Sequence, residues 1–348
     1  MMCHAQRRGP CHSNVSSRYS LAMANQPLGR ALLVGIVLTL VFTAPLRAQS
    51  GPELLFKPWP TGQRLEGQAD ATFLNDGHTK NADDYQLSFY NTQGRFRLWP
   101  EQKADPRIGY NVTYLDVSTN DPALPSHMVD TSFAFGTGIA DISGWRAGLT
   151  LGLGYAAVGA FDDGNAWYGK ADLLLGHDID ESSSIGFVID YDGNRTVWPD
   201  IPLPGVLYTK RLDPTILLGL GFPFSSVEWK PRQVPNLTIT AKWVIPDDAD
   251  GRIDYTVFKN FGVFANYAAR REAFHWDELP SPRDRLLFQQ RRAELGVRWT
   301  AHETVSLILA GGYAFSQEFN VGWDARQPDR IAKPSDEPYV RVGLEVRF

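Results

Sequence analysis

The sequence predicts an all-β protein, a transmembrane antiparallel up-and-down β-barrel of about 12–14 strands. Three observations carry that expectation. Apolar residues recur at every second position, in segment after segment, from residue 65 onward. The connections fall into a short class and a long, polar, Pro-rich class, and the two roughly alternate. The alternation also holds to the last residue: Val340, Val342, Leu344, Val346 and Phe348 are apolar, whereas Arg341, Gly343, Glu345 and Arg347 stand between them. Chain ends fray unless they are tied down. A strand pattern that runs into a terminal phenylalanine therefore implies a paired end with its apolar face covered.

Composition is compatible with this fold without announcing it. The chain has 348 residues, 43% hydrophobic and 21% charged, with ten Trp, 31 Gly and 23 Pro. A barrel alternates lipid-facing and lumen-facing residues, so its average hydropathy resembles that of a soluble protein. The single long apolar run, ALLVGIVLTLVFTAPLRAQ at 31–49, follows Arg30 and closes on Pro45 and the small residue Ala48. That is the layout of a secretory signal peptide, with cleavage after Ala48 and Met23 a plausible start. Residues 1–48 are thus read as leader and 49–348 as the barrel. Both cysteines, Cys3 and Cys11, fall in the leader, so the exported part cannot rely on disulfides. The leader holds five Arg and no Lys, Asp or Glu, which leaves 29 basic against 39 acidic residues and a net charge of −10. Such a balance argues against nucleic acid, which calls for a basic footprint.

The segments follow in order. Leu65, Gly67, Ala69, Ala71 and Phe73 open the series. Tyr85, Leu87 and Phe89 continue it, but Phe96 and Leu98 have switched parity, which implies a bulge or a break near residues 92–94. Later sets include Ile108–Tyr114, Phe133–Ile139, Trp145–Tyr155, Trp167–Leu175, Ile185–Tyr191, Ile216–Trp229, Leu237–Ile245, Ile253–Val257, Phe261–Tyr267, Leu287–Trp299 and Val305–Phe315. Residues 141–144, 230–236 and 300–303 are short turns, whereas 75–84, 117–130, 271–285 and 317–338 are long loops. Barrels of the outer membrane have short periplasmic turns and long external loops. Trp99, Trp145, Trp167, Trp229, Trp243, Trp299, Tyr155 and Tyr191 sit at segment ends, as an interfacial aromatic girdle requires.

The opposite parity carries Arg146, Lys170, Asp172, Asp190, Lys242, Asp254, Arg292, Glu294, Arg298, Arg341, Glu345 and Arg347. Lipid rejects a midplane Lys or Arg by about 2–4 kcal/mol, so these residues are expected to line the lumen.

The ending RVGLEVRF resembles the C-terminal recognition signal of bacterial outer-membrane β-barrel proteins, matched at Arg341, Gly343, Val346 and Phe348. That resemblance implies export through a signal peptide to the outer membrane, contact with its lipid, and the barrel-assembly machinery as a partner. GFPFSSVEWKP at 221–231 also resembles an uncharacterised family of outer-membrane barrels. It implies a fold and no activity.

Chemical motifs are weak. The only string similar to the His-x-Ser arrangement of the phospholipase type of barrel, Cys11-His12-Ser13-Asn14, lies in the leader. Asp83-Asp84, Asp162-Asp163, His177-Asp178 and Asp247-Asp248 could imitate the acidic and Asp–His pairs of barrel proteases, but acidic doublets usually form solvated turns. Gly152, Gly154 and Ala157 fit a dinucleotide fingerprint but alternate with Leu151, Leu153 and Tyr155 inside a strand, where it has no meaning. His275, Trp276, Asp277 and Glu278 could bind a ligand or cation, though a solvated external loop is the plainer reading. No cofactor, metal or catalytic residue is expected. The sequence thus favours a polar lumen for passage or binding of small solutes. The alternatives are a structural or surface-interaction barrel with a plugged lumen, and then an outer-membrane hydrolase.

Overall fold

The computed structural model describes residues 50–348, except 57–58, 60–62, 103, 160, 162 and 245–247. Residues 1–48, expected to be a leader with a signal peptide, and the Cys11–Asn14 string within them lie outside the described residues. A short helix, α1 (Glu53–Phe56), precedes the strands. These are β1 (Leu65–Gly77), β2 (Tyr85–Arg97), β3 (Arg107–Thr119), β4 (His127–Ile142), β5 (Trp145–Val158), β6 (Trp167–Asp180), β7 (Ser183–Asp192) and β8 (Leu203–Asp213). The series continues with β9 (Ile216–Phe222), β10 (Phe224–Trp229), β11 (Leu237–Val244), β12 (Asp248–Phe258), β13 (Phe261–His275), β14 (Arg285–His302), β15 (Val305–Gly322), β16 (Asp329–Ala332) and β17 (Glu337–Arg347).

Each strand pairs antiparallel with its neighbours in sequence. β16 is an extra piece on the edge of β15, which pairs on to β17, so sixteen strands form the wall among the described residues. The first and last close it: Gly67 lies opposite Val346 and Phe73 opposite Val340. Leu65 N–H donates to Phe348 O and Phe348 N–H to Leu65 O, both at 2.8 Å. The terminal phenylalanine is therefore the seam of the barrel. No described helix is long and apolar enough to cross a membrane; the strands do so, with every backbone group paired inside the sheet.

The wall holds more strands than the expected 12–14 for two reasons. β8 begins with Leu203-Pro204-Gly205, which hides its alternation. β9 and β10 are joined through Pro223 alone, so two strands look like one segment. The bulge expected near residues 92–94 is absent, since β2 pairs with β1 and β3 there without a shift. The parity switch has another cause. Tyr85, Leu87 and Phe89 face inward with Gln93 and Arg95, and all five are buried. Phe96 faces outward and is exposed.

On the outer face, Phe133, Phe135, Leu151, Leu153, Leu173, Ile189, Leu220, Leu295, Leu309 and Val342 are exposed large apolar residues, the belt that lipid covers. Trp99, Trp167, Trp229, Trp243 and Trp299 are exposed at strand ends. Tyr155 departs from the girdle: it is fully buried beneath Phe161 and Trp167, with ring centroids 4.8 and 5.3 Å away.

Strand lengths are uneven, and this shapes the molecule. β14 and β15 have 18 residues each, whereas β9 has 7 and β10 has 6. A tilted strand needs about 9–11 residues to cross the bilayer, so β13–β15 project well past it on the long-loop side. There β13 bends across the mouth, and His275 pairs in parallel with Ala157 at the free edge of β5. This shortcut closes a second, narrower ring of β1–β5, β13–β15 and β17 above the main barrel. Its interior is apolar: Leu74, Leu87, Phe89, Leu115, Met128, Phe274, Leu286, Phe288 and Phe319 form one buried cluster.

Phe348→Asp puts a charge at the seam and into the lipid-facing row. Assembled barrel in the membrane fraction, read as heat-modifiable gel migration of unboiled protein, is expected to fall several-fold.

A polar chamber between an apolar lid and an N-terminal segment

Below the lid, the inward residues of the strands enclose a cavity of about 260 Å³. Its charged lining is balanced, with seven cations (Lys170, Arg195, Arg252, Arg270, Arg271, Arg292 and Arg341) and seven anions (Asp70, Asp130, Asp192, Asp248, Asp250, Glu272 and Glu294). Asn91, Asn111, Asn194, Asn266, Gln68 and Gln93 add amides, and Ala268 and Ala273 are the only aliphatic residues of the lining among the described residues.

Several of the charges are held in fixed pairs. Arg341 grips Glu294 through both nitrogens of one guanidinium edge, Nη2 to Oε1 at 2.6 Å and Nε to Oε2 at 3.0 Å. Its Nη1 reaches Asp70 at 3.4 Å, and Tyr339 OH donates to Glu294 at 2.9 Å. Lys170 donates to Asp192 at 2.7 Å, and Tyr168 OH to Asp130 at 2.7 Å. The guanidinium carbons of Arg270 and Arg292 stand 4.9 and 4.7 Å from the Phe89 ring centre, where the chamber meets the lid. Cations over an aromatic face keep their attraction in a poorly hydrated site.

Of the residues expected in the lumen, Lys170, Arg292, Glu294 and Arg341 line this chamber. Asp254, Arg298, Glu345 and Arg347 line a second recess of about 270 Å³ toward the short-turn end. Arg298 bridges Asp254 and Glu345 there, at 3.2 and 3.3 Å. Arg252, from the chamber side, binds Asp254 at 2.8 Å and so stands between the two spaces. Asp172 lies directly opposite Asp190, which pairs with Arg195 at 2.7 Å. Lys242 is in register with Asp250. Arg146 sits apart from the chamber, at the short-turn end, paired with Asp178 at 2.8 Å. Asp70, Arg252 and Arg270 had no sequence signal beyond ordinary alternation, although their inward parity could have marked them.

The segment before β1 enters the lumen from the short-turn side. Leu54 is fully buried, and Leu54 and Leu55 press against Gly136 on β4. A Cβ at Gly148 would lie 2.8 Å from Leu55, so these glycines make room for α1. Arg107 Nη1 donates to the carbonyls of Leu54 and Leu55 at 2.9 and 3.1 Å, capping the helix end. The Ser50 and Ser132 hydroxyl oxygens are 2.6 Å apart. Trp59 lies under Arg95, whose guanidinium is 4.2 Å from the ring centre. Burial pushes the Glu53 carboxyl up from 4.5 to about 7, against the lowering effect of its own backbone hydrogen bond and of Lys170 and Lys242.

On the low side of the wall, residues 193–202 fold over the mouth. Asn194 donates to Asp130 at 3.3 Å and to Ala273 O at 3.0 Å, and Arg285 donates to Asn194 at 3.1 Å and to Arg195 O at 2.9 Å. Ala325 N–H donates to Thr196 O at 2.8 Å. The chamber is thereby roofed in this conformation.

A closed antiparallel wall, an exposed apolar belt and a polar interior define a transmembrane β-barrel. No family model matches the chain, and no curated protein is similar to it. Among solved structures it is similar to the toluene transporter TodX of Pseudomonas putida, at 8% identity, over 83% of this chain and 90% of that one, with a TM-score of 0.38. An outer-membrane channel from Pseudomonas putida F1 shares 11% identity over 83% and 97% of the two chains, TM-score 0.36. The outer-membrane protein Omp33 of Acinetobacter baumannii shares 9% over 82% and 98%, TM-score 0.33. The assignment to the class stands on the strand pairing and the lipid-facing belt, without help from likenesses this distant.

Glu294→Ala leaves the buried Arg341 and Tyr339 without their main acceptor. Loss of one partner from a buried ion pair costs about 3–5 kcal/mol; with Asp70 still present the lower end is expected, read as a lower unfolding temperature in detergent. Glu294→Gln should recover part of it.

Proposed function

We propose that this barrel is a gated channel for small hydrophilic solutes, held here in a closed conformation. The observation that carries the proposal is the chamber itself, a cavity walled by fourteen ionisable side chains of balanced sign. Desolvating charges is costly, and a barrel that served only as a scaffold could fill its interior with packed side chains, as this chain does a few residues higher in the lid. Space kept polar and hydrated suits a solute that brings its own hydrogen-bond donors and acceptors. Balanced charge suits neutral or zwitterionic solutes over strongly ionic ones.

The route has two closures. On the external side the apolar cluster and residues 193–202 cover the chamber. On the periplasmic side α1 occupies the half of the lumen lined by β3–β5, while the Arg252–Asp254–Arg298–Glu345 network occupies the half lined by β12–β17. A segment held by Arg107, one Ser–Ser contact, two leucines and the Trp59–Arg95 stack is the simpler of these to move. The rival reading, a surface-interaction barrel with a permanent plug, draws support from the lid and predicts no passage under any condition. The lining offers no residue set that would favour a hydrolase.

Single-channel recording in planar bilayers tests the proposal. Intact protein should show rare openings, and deletion of residues 50–59, or Leu54→Glu, should raise open probability at least tenfold. Silence in both variants, with heat-modifiable migration intact, would support the permanent plug.

Glu53 adds a pH dependence. The docked segment keeps its proton up to about pH 7, whereas a released one loses it near 4.5. Docking is therefore fully supported below 4.5 and weakens as pH rises through 7. Open probability should increase from pH 5 to pH 8, and Glu53→Gln should flatten that response.

A further inference from the structure

Where β13 crosses the mouth, three side chains from two distant parts of the chain converge. Asp163 lies in the β5–β6 connection, and His275 and Asp277 lie at and beyond the end of β13. One donor atom from each lies within 4.8 Å of the other two. Asp163 Oδ2 faces His275 Nδ1, and His275 Nδ1 is 3.9 Å from Asp277 Oδ1. The Asp163 side chain is only 7% exposed and that of His275 11%, while Asp277 is 69% exposed and closes the group from the solvent side.

The second observation is what these atoms lack. Asp163 Oδ2 and His275 Nδ1 are buried and have only each other, and His275 Nε2 is buried with no hydrogen-bond partner among the described residues. The other carboxylate oxygen, Oδ1, is already used, accepting from Asn165 N–H at 2.8 Å. Tyr155 OH, just beneath, is engaged with Asp163 N–H at 3.3 Å. The loop thus pins Asp163 in place with one oxygen and presents the other toward an imidazole nitrogen. Buried polar atoms without partners are costly, and a carboxylate–imidazole–carboxylate group is a common donor set for a divalent cation.

We propose that Asp163, His275 and Asp277 bind one divalent transition-metal ion of the zinc type, which staples the β5–β6 connection to the crossing end of β13. The donor set decides the class. One imidazole and two carboxylates suit zinc, cobalt, nickel or manganese. Calcium prefers six to eight oxygen ligands, and magnesium keeps most of its waters. Three protein ligands leave positions open to water on the Asp277 side. The ion binds the neutral imidazole, the form in which histidine ligates a metal. Its position has a consequence for the fold: His275 is the residue that pairs with Ala157 to close the upper ring. Bound metal therefore strengthens the lid without touching the chamber.

Zinc binding to the full barrel in detergent micelles, by equilibrium dialysis with metal quantification, is the test. Wild type is expected to take up one equivalent. His275→Ala and Asp163→Ala should each weaken binding at least tenfold, and Asp277→Asn, at an exposed position that does not endanger folding, should weaken it less. Heat-modifiable migration confirms that each variant is folded. Added zinc should also protect the segment 276–284 from proteolysis in wild type and not in His275→Ala. No zinc uptake by folded wild type, or equal uptake by wild type and both buried-site variants, would overturn the proposal and leave Asp163–His275 as a plain ion pair. Neither result bears on conductance, so this site and the channel reading stand or fall separately.

Discussion

Everything in this molecule depends on where backbone hydrogen bonds can close. In hydrocarbon no water satisfies an N–H or C=O, so the sheet must meet itself, and it does so between β1 and β17 at Leu65 and Phe348. Above the bilayer that constraint relaxes, and the strands no longer need to stay in a sixteen-membered wall. The long ones continue and meet each other across the mouth through His275 and Ala157, while the short ones, β9 and β10 above all, stop. The result is a wide ring in the membrane beneath a narrower one outside. The first encloses polar side chains, the second apolar ones.

The two interiors have opposite chemistry because their outsides do. In the membrane the outward face meets lipid, so the apolar residues go out and the charges must face in and pair, as Arg341 does with Glu294 and Asp70. Outside the membrane the outward face meets water, and the usual rule of an apolar core returns. The chamber lies at the changeover, which explains why Phe89 and Tyr339 touch arginines on one side and the lid on the other. In the proposed channel, a solute crosses a polar compartment and an apolar gate, with α1 at the opposite end.

Much of this was legible in the sequence. Period-two alternation located most strands, the ending RVGLEVRF gave the seam, and the split into short and long connections separated the two rims. Parity alone placed Lys170, Arg292, Glu294 and Arg341 on the inward face. The missing parts share a cause: alternation says that a residue changes face, and not what that face meets. Tyr85, Leu87 and Phe89 looked like a lipid-facing row with a bulge after it, when they are inward residues above the membrane level. Tyr155 looked like a girdle residue and is covered by its own loop. His275 belongs to a strand, and only the long-range pairing with β5 brings it to Asp163. Residues 50–56 have no periodicity at all, so the place of Leu54 and Leu55 inside the lumen depends on contacts with Gly136, Gly148 and Arg107 that no local pattern reveals.

The central claim is that a polar chamber opens and closes through movement of the N-terminal segment. Ser50 and Ser132 have hydroxyl oxygens 2.6 Å apart, and residues 49–348 contain no cysteine, so the double replacement Ser50→Cys with Ser132→Cys can lock that segment with a single disulfide. The decisive measurement is uptake of small neutral solutes into proteoliposomes carrying this variant, before and after reduction. The account predicts that oxidised protein is impermeable and that reduction restores uptake to the level of the unmodified barrel. Uptake that is the same in both states would contradict it.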